Sequence, residues 1–440
     1  MKYEEVLKKV LEKIVPSKEE EKELKKVIGE IEEKIKERKP EEAEVMLVGS
    51  VAKGTYLKNS LDVDFFILFP QRYKKEEMAK IVINMGKEIL QEWEVQYAEH
   101  PYIRGKYKGY EIEFVPCYKI KDASQKMSAV DRTPFHTEYV KKNLKEEMKN
   151  EVRLLKQFLK GIGCYGAEAK IEGFSGYLTE LLILKYGNFL NVLKESQNWK
   201  GKTILSLNGG EKEFEEEFVF IDPVDPSRNV AAALSKEKLE LFKLASKEFL
   251  KNPRIEFFFP NPPPLLSEEE LKIKLRNFVG IYFKKPKLPD DIIYPQLRKA
   301  ALNLENLLRQ YDFKVKRKAW YANDEAFVAL ELEKKELEEI KLHMGPPLHE
   351  KKHVEAFMKK WKNNKMAVEE PFIKDGRLWV KIRRKYTDAL HLIKDLLHQV
   401  NLGKNLNEIK DEIKICNGVE LIKFREFWSE FFCDKYPWER

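Results

Sequence analysis

The spacing of hydrophobic residues predicts alternating helices and strands in the first third of the chain. One apolar stripe at helical spacing covers residues 6–14, and a second covers 24–35 after a capping box formed by Ser17 and Glu20. Strands are predicted over 44–48, 62–69, 94–107 and 110–118, with a short helix from Gly49 and a longer helix over 74–92. This order indicates a small mixed sheet covered by helices.

Helical spacing returns from about residue 143 in a helix that is followed by glycines, and the most apolar helix is predicted over 175–193. A Pro-rich segment, 257–270, indicates a domain boundary. Beyond it we expect strands over 277–284, 312–319, 325–333 and 377–384, and helices over 294–310 and 352–362. This βαββαβ order is the split βαβ arrangement of ferredoxin-like and RNA-recognition domains. We therefore expect an α+β multidomain protein divided at 1–142, 143–256, 257–386 and 387–440.

The length and charge of the chain limit the kind of partner it can have. Its 440 residues exceed what one hydrophobic core usually organises. Lys and Arg number 82 and Asp and Glu number 74, which leaves a net charge of only +8. Both signs are dense, which excludes a histone-like polycation and a disordered acidic tail. Any site for a polyanion must therefore be a local patch.

One such patch is predicted between residues 350 and 386. This segment contains twelve Lys or Arg and only five Asp or Glu, with aromatic residues between them. That pattern suits RNA phosphates, although lysines on a solvated helix surface would look the same. The residues that we take as its RNA contacts are Lys359, Lys360, Lys362, Arg383 and Arg384.

The four cysteines, Cys117, Cys164, Cys416 and Cys433, have no short metal-ligand spacing and are too few to staple a chain this long. We expect them to be reduced thiols in the cytosol. Acidic residues interrupt the N-terminal segment where a signal peptide needs an apolar run, and no apolar run approaches the ~20 residues of a membrane span. We expect a soluble, cytoplasmic protein.

The most informative stretch places Gly49 and Ser50 after a strand and Asp62 and Asp64 on the next one. Side chains alternate along a strand, so the two carboxylates share one face and repel each other unless a cation lies between them. A hard divalent ion such as Mg²⁺ carrying a nucleoside triphosphate is the natural solution. The backbone N–H groups after Gly49 and the Ser50 hydroxyl are suited to phosphate oxygens.

A two-metal phosphoryl transfer needs a third carboxylate. The strand over 110–118 offers Glu111 and Glu113 on one face. The sequence alone does not choose between them.

These motifs resemble the nucleotidyltransferase superfamily that includes DNA polymerase β. The blocks VGSVAKGTYLKNSLDVDFFILFP, SAVDRTPFH, GFSGYL and DPVDPSRNVAA look more closely like the archaeal (class I) CCA-adding enzymes. The similarity runs in order from about residue 1 to 260 and more loosely to the end. It implies template-independent addition of C, C and A to the 3′ end of tRNA from CTP and ATP, by two-metal transfer with Mg²⁺ that releases pyrophosphate. It also suggests a homodimer.

The resemblance also assigns roles along the chain. It makes 1–142 a palm-like catalytic domain, 143–256 a helical domain that completes the nucleotide pocket, 257–386 a tRNA-binding domain and 387–440 helices that pack on them. The catalytic and metal-binding residues would be Asp62, Asp64 and Glu113. Asp62 and Glu113 depart from the usual family pattern, which has Glu at the first place and Asp at the third. The nucleotide-binding residues would be Gly49, Ser50, Lys53, His136, Lys156, Tyr165, Ser175 and Arg228.

Particular roles follow for some of these residues. Lys53 stands where a relative has Arg, and Lys156 would offer charge to the triphosphate. Arg228 would contact the Watson–Crick edge of the incoming base, and Ser175 would be a helix N-cap, a triphosphate contact or both. Two other interpretations remain: a poly(A) polymerase or other RNA nucleotidyltransferase of the same superfamily, and a non-catalytic RNA-binding relative.

Overall fold

A computed structural model describes residues 3–60, 62–97, 100–209 and 213–440. The chain divides into two compact units, Met1–Pro262 with Asp434–Arg440, and Pro263–Cys433. The division falls inside the predicted Pro-rich segment. The finer four-part division stays a prediction.

The first unit contains most of the helices. They are α1 (Tyr3–Ile14), α2 (Lys18–Lys36), α3 (Gly49–Lys53), α4 (Lys75–Ile89), α5 (Thr133–Asn143), α6 (Glu146–Gly161), α7 (Gly176–Tyr186), α8 (Phe189–Ser196) and α9 (Lys236–Lys251). Its strands are β1 (Glu44–Val48), β2 (Asp62–Phe69), β3 (Gln91–Tyr97), β4 (Pro101–Tyr107), β5 (Tyr110–Tyr118), β6 (Thr203–Leu205) and β7 (Phe218–Phe220). The predicted capping box at Ser17 and Glu20 is present at the start of α2.

A five-stranded mixed sheet in the order β1-β2-β5-β4-β3 carries the first unit. Strands β2 and β5 are parallel and the other neighbours are antiparallel. Val63, Phe65 and Ile67 alternate along β2 and are buried in one core with apolar residues of α2 and α4. The fold class predicted from the sequence, an α+β protein with a mixed sheet, is confirmed.

One predicted strand in this sheet was wrong. The segment 94–107 forms two antiparallel strands, β3 and β4, and residues 98–99 between them lie outside the described part. The alternating pattern is the same on both strands, so the pattern did not reveal where the chain turns back. The next reversal, between β4 and β5, lies at Lys108 and Gly109, whose φ angles are 50° and 85°.

A second core is built from helices α1 and α6 to α9 around Phe158, Phe189 and Phe249. The predicted helix over 175–193 is in fact α7 and α8. Gly187 has a φ of 86°, which ends α7, and the Asn188 side chain accepts a hydrogen bond of 2.8 Å from the backbone N–H of Asn191, which starts α8. Among the described residues, no helix is long and apolar enough to cross a membrane.

The second unit contains two antiparallel sheets. Its helices are α10 (Glu268–Leu275), α11 (Asp290–Gln310), α12 (Lys351–Trp361), α13 (Ala389–Leu396), α14 (Lys404–Glu408) and α15 (Arg425–Phe431). Its strands are β8 (Phe278–Lys284), β9 (Val315–Ala322), β10 (Glu325–Leu332), β11 (Ile340–Pro347), β12 (Phe372–Lys374), β13 (Arg377–Arg383) and β14 (Lys414–Asn417).

The membership of these two sheets corrects the predicted βαββαβ unit. One sheet has the order β14-β8-β10-β9 and the other has the order β11-β13-β12. The predicted strand over 377–384 is β13, which pairs with β11 and β12, and the predicted helix over 352–362 is α12, which packs on that smaller sheet. Helix α13 and strand β14 complete the split βαβ order instead, because β14 pairs with β8.

Candidate active site

Four carboxylates line one face of two neighbouring strands. The parallel register of β2 and β5 places Asp62 beside Glu111 and Asp64 beside Glu113. Val63 and Ile112 between them are fully buried on the opposite face. Alternation along each strand therefore produces the acidic face that the sequence predicts.

Arg104 on β4 contacts the two glutamates differently. It lies opposite Glu113 in the sheet, and it donates a hydrogen bond to the carboxylate of Glu111. Its guanidinium is 3.5 Å from an Asp62 oxygen and 3.7 Å from a Glu113 oxygen. Glu111 is thus held by Arg104, whereas Glu113 faces Asp64 and lines the cavity described below.

The carboxylates of Asp64 and Glu113 carry an electrostatic cost in this position. Burial, together with the charge of Asp62, raises the pKa of Asp64 to about 6. Burial, together with the charge of Asp64, raises the pKa of Glu113 to about 7. A hard divalent cation prefers oxygen ligands, and between these two carboxylates it would favour their ionised form. In the described chain, no three His, Cys, Asp or Glu side chains already converge into a metal site.

Gly49 makes room for the Asp64 carboxylate. Its φ is +72°, in the left-handed region, and a Cβ added to it would lie 2.1 Å from Asp64 Oδ2. Glycine at this position therefore serves both the turn into α3 and the close approach of the carboxylate. Ser50 follows directly and lines the same cavity.

Two buried lysines share one carboxylate at the base of this cavity. Lys53 Nζ donates to Glu180 Oε2 at 2.6 Å, and Lys156 Nζ is 3.6 Å from Glu180 Oε1. The Thr55 hydroxyl donates to the same carboxylate at 2.7 Å and accepts from Lys156 Nζ at 3.2 Å. Burial lowers the pKa of Lys156 to about 8, although Glu180 opposes this shift.

These features meet in one cavity of about 450 Å³, which we call the carboxylate cavity. It brings together eight of the predicted site residues: Gly49, Ser50, Lys53, Asp62, Asp64, Glu113, Lys156 and Tyr165. Arg104, Tyr177 and Glu180 also line it. The cavity therefore has an acidic side on the sheet and a basic side on the helices.

His136 and Arg228 lie in a separate cluster around Asp222, which we call the Asp222 cluster. Asp222 Oδ2 is 2.8 Å from His136 Nε2 and 3.0 Å from Arg228 Nη1, and Asp222 Oδ1 accepts from the Tyr177 hydroxyl at 3.2 Å. The His136 ring stacks on that of Tyr177 at a centroid distance of 4.0 Å. Burial lowers the pKa of His136, against the effect of Asp222. Tyr177 thus joins this cluster to the carboxylate cavity.

The remaining predicted nucleotide-binding residue, Ser175, is the N-cap of α7 and accepts a hydrogen bond from the backbone N–H of Leu178 at 3.0 Å. Ser175 and Arg228 line a neighbouring cavity of about 620 Å³ that also contains Arg132.

Sequence reasoning missed Glu180, Asp222 and Arg104. A lone carboxylate in the most apolar helix was a usable signal for Glu180, because a buried charge requires a partner.

The predicted RNA contacts lie in the second unit. Lys359 and Lys360 are exposed on α12, and Lys362 follows its last residue. Arg383 Nη1 donates to Glu339 at 2.5 Å, and Arg384 Nε is 3.6 Å from Asp312. The three lysines therefore present more unneutralised charge to solvent than the two arginines do.

Comparison with known proteins identifies this architecture. Family models match in sequence order: "Nucleotidyltransferase domain" over residues 28–136, "tRNA nucleotidyltransferase, second domain" over 150–259 and "CCA-adding enzyme, C-terminal domain" over 275–418. A solved structure of the Cid1 poly(U) polymerase has 16% identity and a TM-score of 0.46, covering 57% of this chain and 94% of that chain, which is too weak to support a conclusion. The residues that form the mixed sheet thus lie within a nucleotidyltransferase domain.

Relatives along the whole length make the assignment more specific. The CCA-adding enzyme of Archaeoglobus fulgidus is 39% identical over 432 residues, which cover 96% of this chain and 97% of that protein. Those of Methanosarcina barkeri and Methanocaldococcus jannaschii are also 39% identical, covering 89% and 92% of this chain and 88% and 94% of theirs. The chain belongs to the CCA-adding enzyme family, which confirms the predicted resemblance and enzyme class.

Proposed function

We propose that the chain adds C, C and A to the 3′ end of tRNA without a nucleic-acid template, using CTP and ATP and releasing pyrophosphate. The observation that carries this proposal is the juxtaposition of Asp62, Asp64 and Glu113 with Ser50 and two buried lysines in the carboxylate cavity. Such a cavity is suited to a metal-bound triphosphate, because it offers oxygen donors on one side and cations on the other.

In this reaction the 3′ hydroxyl of the RNA gives up its proton to solvent, its oxygen forms a bond to the α-phosphorus, and the bond from that phosphorus to the pyrophosphate oxygen breaks. Asp62, Asp64 and Glu113 would hold Mg²⁺. The raised pKa values of Asp64 and Glu113 support this fit, since a cation between the two carboxylates would relieve their repulsion. When bound, Mg²⁺ supplies Lewis acidity that lowers the pKa of the attacking hydroxyl and neutralises phosphate charge.

The other residues orient the substrate. Ser50, Lys53 and Lys156 would bind the β- and γ-phosphates. The positive charges of the two lysines would stabilise the negative charge of the leaving pyrophosphate. The Tyr165 ring and hydroxyl would lie against the sugar. Glu113 is preferred to Glu111 as the third ligand, because Glu111 is occupied by Arg104.

Discrimination between bases would depend on the Asp222 cluster. Asp222 engages one guanidinium nitrogen of Arg228, Nη1, and the remaining donors of that planar fork would contact the Watson–Crick edge of cytosine or adenine. Tyr177 would place this contact at a fixed distance from the carboxylates, because it lines the carboxylate cavity and bonds to Asp222.

The decisive experiment is incubation with tRNA that ends at the discriminator base, with CTP alone, ATP alone and both nucleotides. We expect two additions with CTP, none with ATP and three with both, followed by a stop. Unlimited extension with ATP alone would identify a poly(A) polymerase. Absence of any incorporation would identify a non-catalytic RNA-binding relative.

Binding of the tRNA body would use the exposed lysines Lys359, Lys360 and Lys362, with Arg383 and Arg384 beside them. Their charge would contact phosphates, so affinity should fall steeply with salt. A homodimer and a cytoplasmic location stay predictions of the sequence. Gel filtration with light scattering tests the predicted homodimer, because the measured mass of a homodimer would be twice the 52.1 kDa of the chain.

A further inference from the structure

Glu180 has an environment that stability alone does not explain. Its side chain is completely buried. Glu180 lies on α7, and the next residues along that helix, Leu181, Leu182 and Ile183, belong to the apolar core. Removing a carboxylate from water is unfavourable, and an apolar residue in its place would avoid that penalty. The carboxylate instead accepts hydrogen bonds from Lys53 and Thr55, at 2.6 and 2.7 Å.

The network around Glu180 leaves an unbalanced positive charge facing the cavity. Two ammonium groups share one carboxylate, so the set carries one net positive charge. The side chains of Lys53 and Lys156 are only 9% and 4% exposed, so water screens this charge poorly. Thr55 ties the set together, because its backbone carbonyl and its hydroxyl each accept from Lys156 Nζ at 3.2 Å.

We propose that Glu180 is a positioning residue that fixes Lys53 and Lys156 as a rigid pair of ammonium groups for the β- and γ-phosphates of the incoming nucleotide. This proposal rests on the proposed function, in which the carboxylate cavity binds a nucleoside triphosphate. Glu180 does not touch the reacting atoms. It acts by directing one lysine from α3 and one from α6 toward the same polyphosphate.

The loss of the carboxylate should weaken polyphosphate binding in a pH-dependent way. The groups that face Lys156 are Glu180 on α7, Lys53 on α3, the hydroxyl of Thr55 and, on its own helix, Lys160. Of these, only Glu180 is negatively charged. Without it, the two neighbouring lysines and burial all favour the neutral amine of Lys156. The nucleotide affinity should then begin to fall at a lower pH than in the wild type.

The test compares binding of CTP and CMP by calorimetry in the full-length protein with Mg²⁺ present. Glu180→Gln should raise the dissociation constant of CTP about tenfold, as expected when a hydrogen bond between charged groups is lost, and should leave that of CMP unchanged. Repeating the CTP titration between about pH 7 and 9 should show the loss of affinity beginning earlier in the variant. Equal effects on CTP and CMP, or none on CTP, would overturn the proposal.

Two further variants keep the test decisive. Thr55→Val retains all three charges and removes the hydroxyl that links them, so it should weaken CTP binding less than Glu180→Gln and leave CMP binding unchanged. It replaces Glu180→Gln if that protein does not fold, and unchanged CTP binding would then refute the proposal. Glu305→Gln is the matched control, since Glu305 is 12% exposed and accepts from Arg309 and Lys318 in the second unit. It should not affect CTP binding.

Failure of the proposed function would give a different result. Nucleotide binding is measured here without tRNA and without turnover. If the wild type binds CTP but extends no tRNA, and Glu180→Gln weakens the binding of CTP but not of CMP, the proposed reaction is wrong and the role of Glu180 stands. If the wild type extends tRNA and Glu180→Gln binds CTP normally, the proposed reaction stands and the role of Glu180 is wrong.

Discussion

Replacement of Gly49 by alanine tests whether the position of the Asp64 carboxylate limits activity. Gly49 and Gly163 both have a φ of +72°, so alanine at either position should cost a similar ~1–2 kcal/mol of backbone strain. At Gly163 no atom lies within 4 Å of the added Cβ, whereas at Gly49 that Cβ would lie 2.1 Å from Asp64 Oδ2. Gly163→Ala is therefore a matched control that reproduces the strain without the collision.

The collision must move the carboxylate, because contacts below 3.0 Å are essentially never formed by a real Cβ. A displacement of about 1 Å in a reacting group can cost on the order of a hundredfold in rate. We expect both variants to lose similar thermal stability, and only Gly49→Ala to lose about two orders of magnitude in the turnover of labelled CTP on tRNA lacking CCA. Equal turnover by the two variants would refute the placement of Asp64 at the reacting centre.

Three further predictions concern charge. Asp64→Asn should raise the unfolding temperature, measured in EDTA at neutral pH. The pKa of Asp64 is raised to about 6, so its ionised form destabilises the folded protein above that pH. The gain should shrink on acidification and vanish below pH 3.8, the ordinary pKa of an aspartate. Asp222→Asn should reduce kcat/KM for CTP and ATP about tenfold, because it removes the charge that orients Arg228. An unchanged kcat/KM for both nucleotides together with a lower affinity for tRNA would contradict this role. Alanine at Lys359, Lys360 and Lys362 should flatten the salt dependence of tRNA binding, whereas alanine at Lys22, Lys25 and Lys26 on α2 should not.

The elements that carry the carboxylates could be predicted from local sequence. Strands β1 and β2 have the predicted bounds, 44–48 and 62–69, because apolar alternation defines a half-buried strand. The capping box at Ser17 marked the start of α2 for a similarly local reason.

Sheet membership could not be predicted in the same way. The pattern of residues 377–384 identified a strand. The strand pairs with β11 and β12, and a local sequence pattern contains no information about which strands become neighbours.

The candidate site was predictable where the chemistry requires unusual residues at short spacing. Asp62 and Asp64 fall into this class, since two carboxylates on one strand face are conspicuous in the sequence. The resemblance implies Glu113 rather than Glu111, and the geometric support for this preference comes from Arg104, whose position opposite Glu113 depends on strand register. Glu180 is separated from Lys53 by 127 residues, so only the tertiary fold reveals that contact.

The carboxylate cavity disfavours the charged form of groups on both of its sides, the carboxylates on the sheet and a lysine on the helices. The pKa values of Asp64 and Glu113 are raised to about 6 and about 7, while that of Lys156 is lowered to about 8. A cation should therefore expel protons from the carboxylates between about pH 6 and 7, and a polyphosphate should promote proton uptake by the lysine near about pH 8. Calorimetry of Mg²⁺ alone and of tripolyphosphate alone, each in two buffers of different ionisation enthalpy, measures both exchanges. Heats that do not depend on the buffer would contradict these assignments. If both exchanges occur, a metal-bound triphosphate relieves the two costs together, so the metal and the nucleotide should each strengthen binding of the other.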